Sequence, residues 1–224
     1  MSVATESDRV AQLGAASGWL SAALNLAGVV LLREIPAAYK PGTIPTWLNQ
    51  SLAHSTAATA SALAFTAGVL LLVPFAIALK RSSHGARPLW AGAGAILVAL
   101  GGIMNATGTL LPVVAVGPLA AVGDVTSAGF LGAALALLAW SLTMDACFNV
   151  LFGAGLIAFG IAMLRDPGRS RLVAWLGIVA GLATIPVALQ PVSRAAADWL
   201  AVAGVLWLAW LVWTGASLWR QGRR

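Results

Sequence analysis

The stretch from Asp145 to Arg171, DACFNVLFGAGLIAFGIAMLRDPGRSR, decides the fold class of this chain. It begins with an acidic residue, continues through a run of apolar and small residues, and ends in a loop that carries three arginines. A run of about twenty apolar residues is long enough to cross a hydrocarbon core roughly 30 Å thick. The stretch therefore predicts a membrane-spanning helix with a polar start and a basic end.

The composition of the whole chain extends this prediction. Of its 224 residues, 60% are hydrophobic and only 9% are charged, whereas a soluble domain needs about 25% charged residues to wet its surface. Its 10 tryptophans and 24 glycines are typical of helices that anchor at membrane interfaces and pack closely. We therefore predict an all-α, polytopic transmembrane helix bundle, a single domain over residues 1–224 in contact with the lipid bilayer.

The charge and the absent motifs exclude several function classes. The net charge of +6 is explained by topology signals, as shown below, so no nucleic-acid partner is expected. Cys147 is the only cysteine, which excludes an intramolecular disulfide and a thiolate metal cluster. The sequence has no Walker A motif, HExxH, GxSxG or paired aspartate-rich motif, which argues against nucleotide-driven transport, zinc proteolysis, serine hydrolysis and metal-dependent prenyl transfer. We predict no cofactor and no metal site.

Apolar runs separated by polar loops predict six membrane crossings. Their approximate bounds are Val10–Leu32, Ser55–Leu79, Leu89–Val113, Ala146–Leu164, Leu172–Leu189 and Trp199–Trp219. Pro74 and Pro186 fall inside the second and fifth of these, where each should kink its helix, because proline has no N–H to donate. Gly14-x-x-x-Gly18 and Gly177-x-x-x-Gly181 are small-residue pairs that let helix backbones approach each other.

Residues 127–143 are apolar but short for a full crossing, and the basic residues decide how to interpret them. With six crossings, ten basic residues share one side with both termini: Arg9, Lys80, Arg81, Arg87, Arg165, Arg169, Arg171, Arg220, Arg223 and Arg224. The other side then has three: Arg33, Lys40 and Arg194. A seventh crossing would change this split to five inside and eight outside. The positive-inside rule therefore favours six crossings with both termini cytoplasmic, and residues 127–143 re-entrant or helical on the outer side. Seven crossings remain the alternative.

This topology places the polar residues in one half of the bundle. The outer half or its boundary contains Asn25, His54, Ser55, Thr59, Asn105, Thr107, Thr109, Asp145, Asn149, Thr184, Gln190 and Asp198. Polar groups in hydrocarbon are costly unless they face a partner or water. The pattern therefore predicts a polar cavity that opens to the outer side above an apolar inner half.

Asp145 is the leading candidate for a chemical role. Asp145 and Asn149 are four residues apart and lie on one face of a helix. The carboxylate is a candidate general acid or base, or a counter-ion for a cationic group. The alternative is a helix-start charge that interacts favourably with the helix dipole. His54 is the second catalytic candidate, as a proton-relay partner for Asp145 or Asp198, and otherwise a helix-entry residue bonded to backbone.

Three further residues are candidate ligand contacts beside Asn149. Asn25 and Asn105 are uncharged and either contact a ligand or form hydrogen bonds between helices. Trp210 belongs to a set of tryptophans, with Trp207 and Trp213, that recur every three residues. Such rings either stack on a flat ligand or pack against the core and lipid.

The segment from Phe152 to Leu182, FGAGLIAFGIAMLRDPGRSRLVAWLGIVAGL, resembles small six-helix bacterial integral membrane proteins of unknown function. In both, a glycine-rich helix ends in a basic turn before a helix that starts with Trp-Leu-Gly. The resemblance implies a location in a bacterial cytoplasmic membrane and carries over no catalytic residue.

These observations lead to one functional hypothesis and two alternatives. We expect a sensor or accessory protein that binds a small apolar or amphipathic molecule in an outward-facing pocket. The first alternative is a cofactor-independent enzyme that uses Asp145 for acid–base chemistry on a lipid or isoprenoid. The second is a structural subunit of a membrane complex, packed through glycine faces such as those of Gly14 and Gly177. The sequence leaves open whether the chain assembles with itself or with another protein.

Overall fold

A computed structural model describes residues 6–32, 44–83, 88–122, 127–166 and 168–223. Within these ranges the chain forms α-helices α1 to α8, and a 3₁₀ segment, Ile185–Leu189, follows α7. The helices are α1 Glu6–Leu31, α2 Ile44–Ala53, α3 Ser55–Leu70, α4 Leu72–Ser82, α5 Pro88–Val122, α6 Ala128–Leu164, α7 Arg171–Thr184 and α8 Arg194–Gln221. The described residues contain no strand, and the predicted all-α class is confirmed.

Among the described residues, six helical stretches are long and apolar enough to cross a membrane, in agreement with the six predicted crossings. They are Glu6–Leu31, Ser55–Ser82, Pro88–Pro112, Ala128–Leu164, Arg171–Leu189 and Asp198–Gln221. α1 packs against α3, α4 and α8, while α6 packs against α5 and α7. This arrangement makes a bundle in which α5 and α6 form the most extensive helix pair.

Both termini of the bundle lie at the same end. The side-chain amide of Gln12, near the start of α1, donates to the carbonyl of Gly222 at 2.8 Å. We call this end, which includes the loop of residues 165–170, the basic end, and the opposite end the distal end. This position of the termini agrees with six crossings, because an even number of crossings returns the chain to the side on which it began.

Residues 128–143 are the first part of α6 and not a separate helix. α6 runs without a break over 37 residues, which is about 55 Å and far more than a bilayer core requires. Ser127 begins the helix, because its hydroxyl accepts a hydrogen bond from the Phe130 N–H at 3.2 Å. The segment therefore extends the fourth crossing beyond the distal end of the bundle. There Phe130 and Ala134 form a small apolar cluster to which Leu52 of α2 adds.

Two prolines divide crossings where the sequence predicts kinks. Pro74 has no N–H to donate to the Leu70 carbonyl, and the second crossing is interrupted at Leu71 between α3 and α4. α7 likewise gives way to the 3₁₀ segment that contains Pro186. The second of these breaks determines where Gln190, at the end of the 3₁₀ segment, is placed.

Aromatic rings and small residues fill the bundle core. Trp210 contacts Phe75 edge-on, with ring centroids 5.7 Å apart, and lies 6.3 Å from Phe159. A Cβ atom added at Gly177 would lie 2.6 Å from the Trp210 Nε1, and one at Gly14 would collide with Ala78. Both predicted small-residue faces are therefore occupied by helices of the same chain, which is the close packing that membrane helices use in place of hydrophobic attraction.

Candidate functional site

The Asp145 carboxylate is the centre of a polar cluster formed by three elements. Asn105 on α5 donates its side-chain N–H to Asp145 Oδ1 at 3.0 Å. Asn149 on α6 donates to Asp145 Oδ2 at 3.1 Å and to the Asp145 carbonyl at 2.8 Å. The side-chain amide of Gln190, at the end of the 3₁₀ segment, also donates to Oδ2. We call Asp145 and these three amide residues the Asp145 cluster.

Helix geometry explains why these residues meet. Asn149 follows Asp145 by four residues, so the two side chains lie on one face of α6. Asp145 lies 20 residues before Arg165, which places it about 30 Å along α6 from the basic end. Asn105 lies 17 residues into α5 from Pro88, a rise of about 26 Å. The cluster therefore lies near the distal boundary of the membrane-spanning bundle.

The side-chain partners of the Asp145 carboxylate are neutral amides. A carboxylate in a low-dielectric environment is costly unless its charge is balanced, and hydrogen bonds from amides offset only part of that cost. Asp145 is half-buried, whereas Asn105 and Asn149 are buried. Among the described residues, the hydrogen-bond partners of this half-buried carboxyl group therefore include no cation.

The same cluster also contains an amide oxygen that accepts no hydrogen bond from the described residues. Gln190 is 5% exposed, and its Oε1 is buried without a hydrogen-bond partner in the described part of the chain. The Asn105 oxygen, in contrast, accepts from the Thr109 hydroxyl at 3.3 Å. Buried acceptors without partners are uncommon in folded proteins. The cluster therefore offers a carboxylate and an amide oxygen to a hydrogen-bond donor or a cation.

Gln190 is the cluster residue that was not predicted as a site residue. Its place in the distal half follows from the topology, but it lies 45 residues from Asp145 in the chain. Its contact with the carboxylate depends on how α7 ends near Pro186, and no spacing rule relates residues so far apart. The one sequence feature that points to Gln190 is that a polar residue directly follows the apolar run ending at Leu189.

The other predicted site residues lie outside the Asp145 cluster. His54 lies between α2 and α3 with an exposed side chain, and its carbonyl accepts from the Ala58 N–H at 2.9 Å. Asn25 is buried in α1, where its side chain donates to the Ser21 carbonyl of the same helix at 2.9 Å. Trp210 is 1% exposed within the core. Their roles as catalytic or ligand-binding residues stay predictions.

A second polar cluster lies at the basic end around Arg169, which is 6% exposed. Its guanidinium donates to Ser217 at 3.4 Å, to Gln221 at 3.3 Å and to Ser82, and its Nε lies 3.8 Å from the Asp166 carboxylate. Burial lowers the pKa of the Arg169 guanidinium, and the nearby Asp166 opposes that shift. Arg169 thereby connects the α6–α7 loop to the ends of α4 and α8.

Comparison with protein-family models, with curated proteins and with solved structures gives no match to this chain. The resemblance of residues 152–182 to small bacterial membrane proteins therefore stays an expectation. Among the described residues, no three His, Cys, Asp or Glu side chains are grouped so that they could hold a metal ion.

Proposed function

We propose that this protein is a membrane-embedded binding protein in which the Asp145 cluster holds the positively charged or hydrogen-bond-donating head group of a small amphipathic molecule. The observation that carries the proposal is the half-buried carboxylate whose side-chain partners are neutral amides. Beside it lies a Gln190 oxygen for which the described residues provide no hydrogen-bond donor. A cationic or N–H-bearing head group supplies what these two acceptors lack. The apolar part of such a molecule then lies against exposed apolar side chains within about two helical turns of the cluster, namely Leu111 on α5 and Trp140 on α6.

The orientation of the protein forms part of the proposal. Ten of the thirteen basic residues belong to the termini and to the loops of the basic end, which supports a basic end in the cytoplasm and a distal end outside. The Asp145 cluster then faces the outer side. Together with the sequence resemblance, this supports a multi-pass protein of a bacterial cytoplasmic membrane.

The two alternative functions depend on different features. An acid–base enzyme would use the same Asp145 carboxylate. Only a measurement of whether the bound molecule is converted to a product distinguishes this enzyme from a binding protein. A structural subunit was predicted to pack through the glycine faces of α1 and α7. Those faces are covered by Ala78 and Trp210 of the same chain, and so the structure favours the binding function over a subunit that uses them.

The proposal is tested by native mass spectrometry of the detergent-purified protein titrated with dodecylammonium, a cationic amphiphile, and with dodecanol, its neutral analogue. We expect the wild-type protein to bind dodecylammonium, and Asp145→Asn to weaken that binding by about tenfold or more, since a hydrogen bond to a charged group is worth roughly 1.5–3 kcal/mol. Dodecanol binding should change little.

Asp198→Asn is the matched control, because Asp198 is an exposed acid at the distal end of α8. This variant should bind dodecylammonium as the wild type does. Equal weakening in both variants would show a general surface-charge effect. Undiminished binding by Asp145→Asn would refute the proposed site.

A further inference from the structure

The loop between α6 and α7 borders a cleft of about 440 Å³ at the basic end. Its lining residues are Leu164, Arg165, Asp166, Arg169 and Arg171. Three guanidinium groups and one carboxylate give this lining a net charge of +2. Arg165 and Arg171 are exposed. Arg169 is buried, and its Nε forms an ion pair with Asp166 at 3.8 Å but no hydrogen bond in the described part of the chain. The cleft is therefore suited to an anion.

The start of α7 lies beside the same cleft, because Arg171, its first residue, lines it. Ser170 is the N-cap residue, but its side chain forms no capping hydrogen bond. The Ser170 carbonyl accepts from Ala174, so the N–H groups of the first turn, starting at Arg171, have no acceptor within the helix. Free N–H groups and the positive end of the helix dipole favour a phosphate at such a position.

An apolar surface leads away from the cleft along α7. Arg171, Trp175 and Leu182 lie on one helical face, and Leu172 and Val179 lie beside them. Leu172, Trp175, Val179 and Leu182 are between 47% and 59% exposed, whereas Ala174, Gly177 and Gly181 on the other face are buried. From Leu172 to Leu182 the surface extends about 15 Å into the bilayer region. An acyl chain fits along a surface of this length.

We infer that this cleft binds the phosphate of an anionic phospholipid, with one acyl chain along the exposed face of α7. Arg165 and Arg171 contact the phosphate from the exposed side, and the first turn of α7 donates backbone N–H groups. Arg169 forms the buried wall of the cleft while it connects the loop to α4 and α8. The site lies at the opposite end of the bundle from the Asp145 cluster and is independent of the proposed function.

The test is a titration followed by native mass spectrometry of the full chain in detergent. The probes are phosphatidylglycerol, phosphatidylcholine with the same acyl chains, and inorganic phosphate. We expect phosphatidylglycerol to bind most tightly, and Arg165→Gln/Arg171→Gln to raise its Kd about thirtyfold, given the usual contribution of two basic residues at an anionic lipid surface. Both side chains are exposed, so their replacement should leave the fold intact.

Arg9→Gln/Arg220→Gln is the matched control, since it removes two exposed charges from the same end but outside the cleft. Its Kd for phosphatidylglycerol should change less than threefold. An equal loss in both double variants would show diffuse surface attraction and overturn the inference. Equal affinity for phosphatidylcholine would overturn the requirement for an anionic lipid, and equally tight binding of inorganic phosphate would show a site for free phosphate.

Discussion

The bundle places a carboxylate near its distal end and a guanidinium at its basic end, and it holds the two charges in different ways. Asp145 is half-buried, and the side chains that contact it are neutral amides from α5, α6 and the 3₁₀ segment. Arg169 is almost fully buried and contacts an acid, two hydroxyls and an amide oxygen. The arginine therefore has a partner of opposite charge, whereas the partners of the aspartate in the described part of the chain are neutral groups.

This difference indicates different roles. The partners of Arg169 belong to a loop and to two helix ends, so the guanidinium stabilises their relative positions. The partners of Asp145 leave its charge unbalanced, and they include an amide whose oxygen has no hydrogen-bond partner among the described residues. We therefore expect Arg169 and its partners to stabilise the fold. We expect the Asp145 cluster to bind a ligand and to contribute little to the free energy of unfolding.

The largest predicted effect is on Arg169. Arg169→Met removes the shared donor while Asp166 and Gln221 stay in place, and we expect it to lower the free energy of unfolding by about 3 kcal/mol. SDS titration in mixed micelles, followed by tryptophan emission, measures this change. Arg169→Lys keeps the charge, but one ammonium group cannot reach all the partners of the guanidinium. Its free energy of unfolding should therefore lie between those of the wild type and Arg169→Met. An unchanged Arg169→Met variant would contradict the stabilising role.

A smaller effect is expected at Gln190. Gln190→Ala removes one of the three amide side chains that donate to the Asp145 carboxylate and should lower the free energy of unfolding by about 1 kcal/mol. The same titration measures it. In the Asp145→Asn background the loss should shrink, because the donated hydrogen bond no longer meets a charged acceptor. Equal losses in both backgrounds would mean that Gln190 acts through packing and not through the carboxylate.

The smallest effect on stability is expected at Asp145 itself. Asp145→Asn keeps the shape of the side chain and relieves the cost of a partly buried charge, but it replaces one acceptor oxygen by an NH2 group that faces amide donors. Because these two effects oppose each other, the free energy of unfolding should change by less than about 0.5 kcal/mol. Reversible SDS unfolding of the variant beside the wild type measures this. A loss as large as that of Arg169→Met would show that the carboxylate stabilises the bundle, and the contrast between the two clusters would then fail.

Much of the fold and part of the candidate site follow from the sequence. The run ending in Arg165 identifies a membrane helix, and the separation of ten basic residues from three predicts six crossings, because apolar length and charge act locally along the chain. The pairing of Asp145 with Asn149 is equally local, since it requires only the helical repeat. The breaks near Pro74 and Pro186 follow from a missing N–H.

Only the tertiary structure shows that residues 128–143 continue the fourth crossing, that Asn105 and Gln190 meet the Asp145 carboxylate, and that Trp210 belongs to the core. Each of these depends on which helix faces pack together. The sequence does not show which polar residue of one helix contacts which polar residue of another. Gln190 shows this most clearly, because a backbone change at the end of α7 brings it to a carboxylate 45 residues away. The sequence by itself determined the class, the number of crossings and the end of the bundle where the polar groups lie. Packing between helices decided which of those groups touch, because such contacts depend on distances in space and not along the chain.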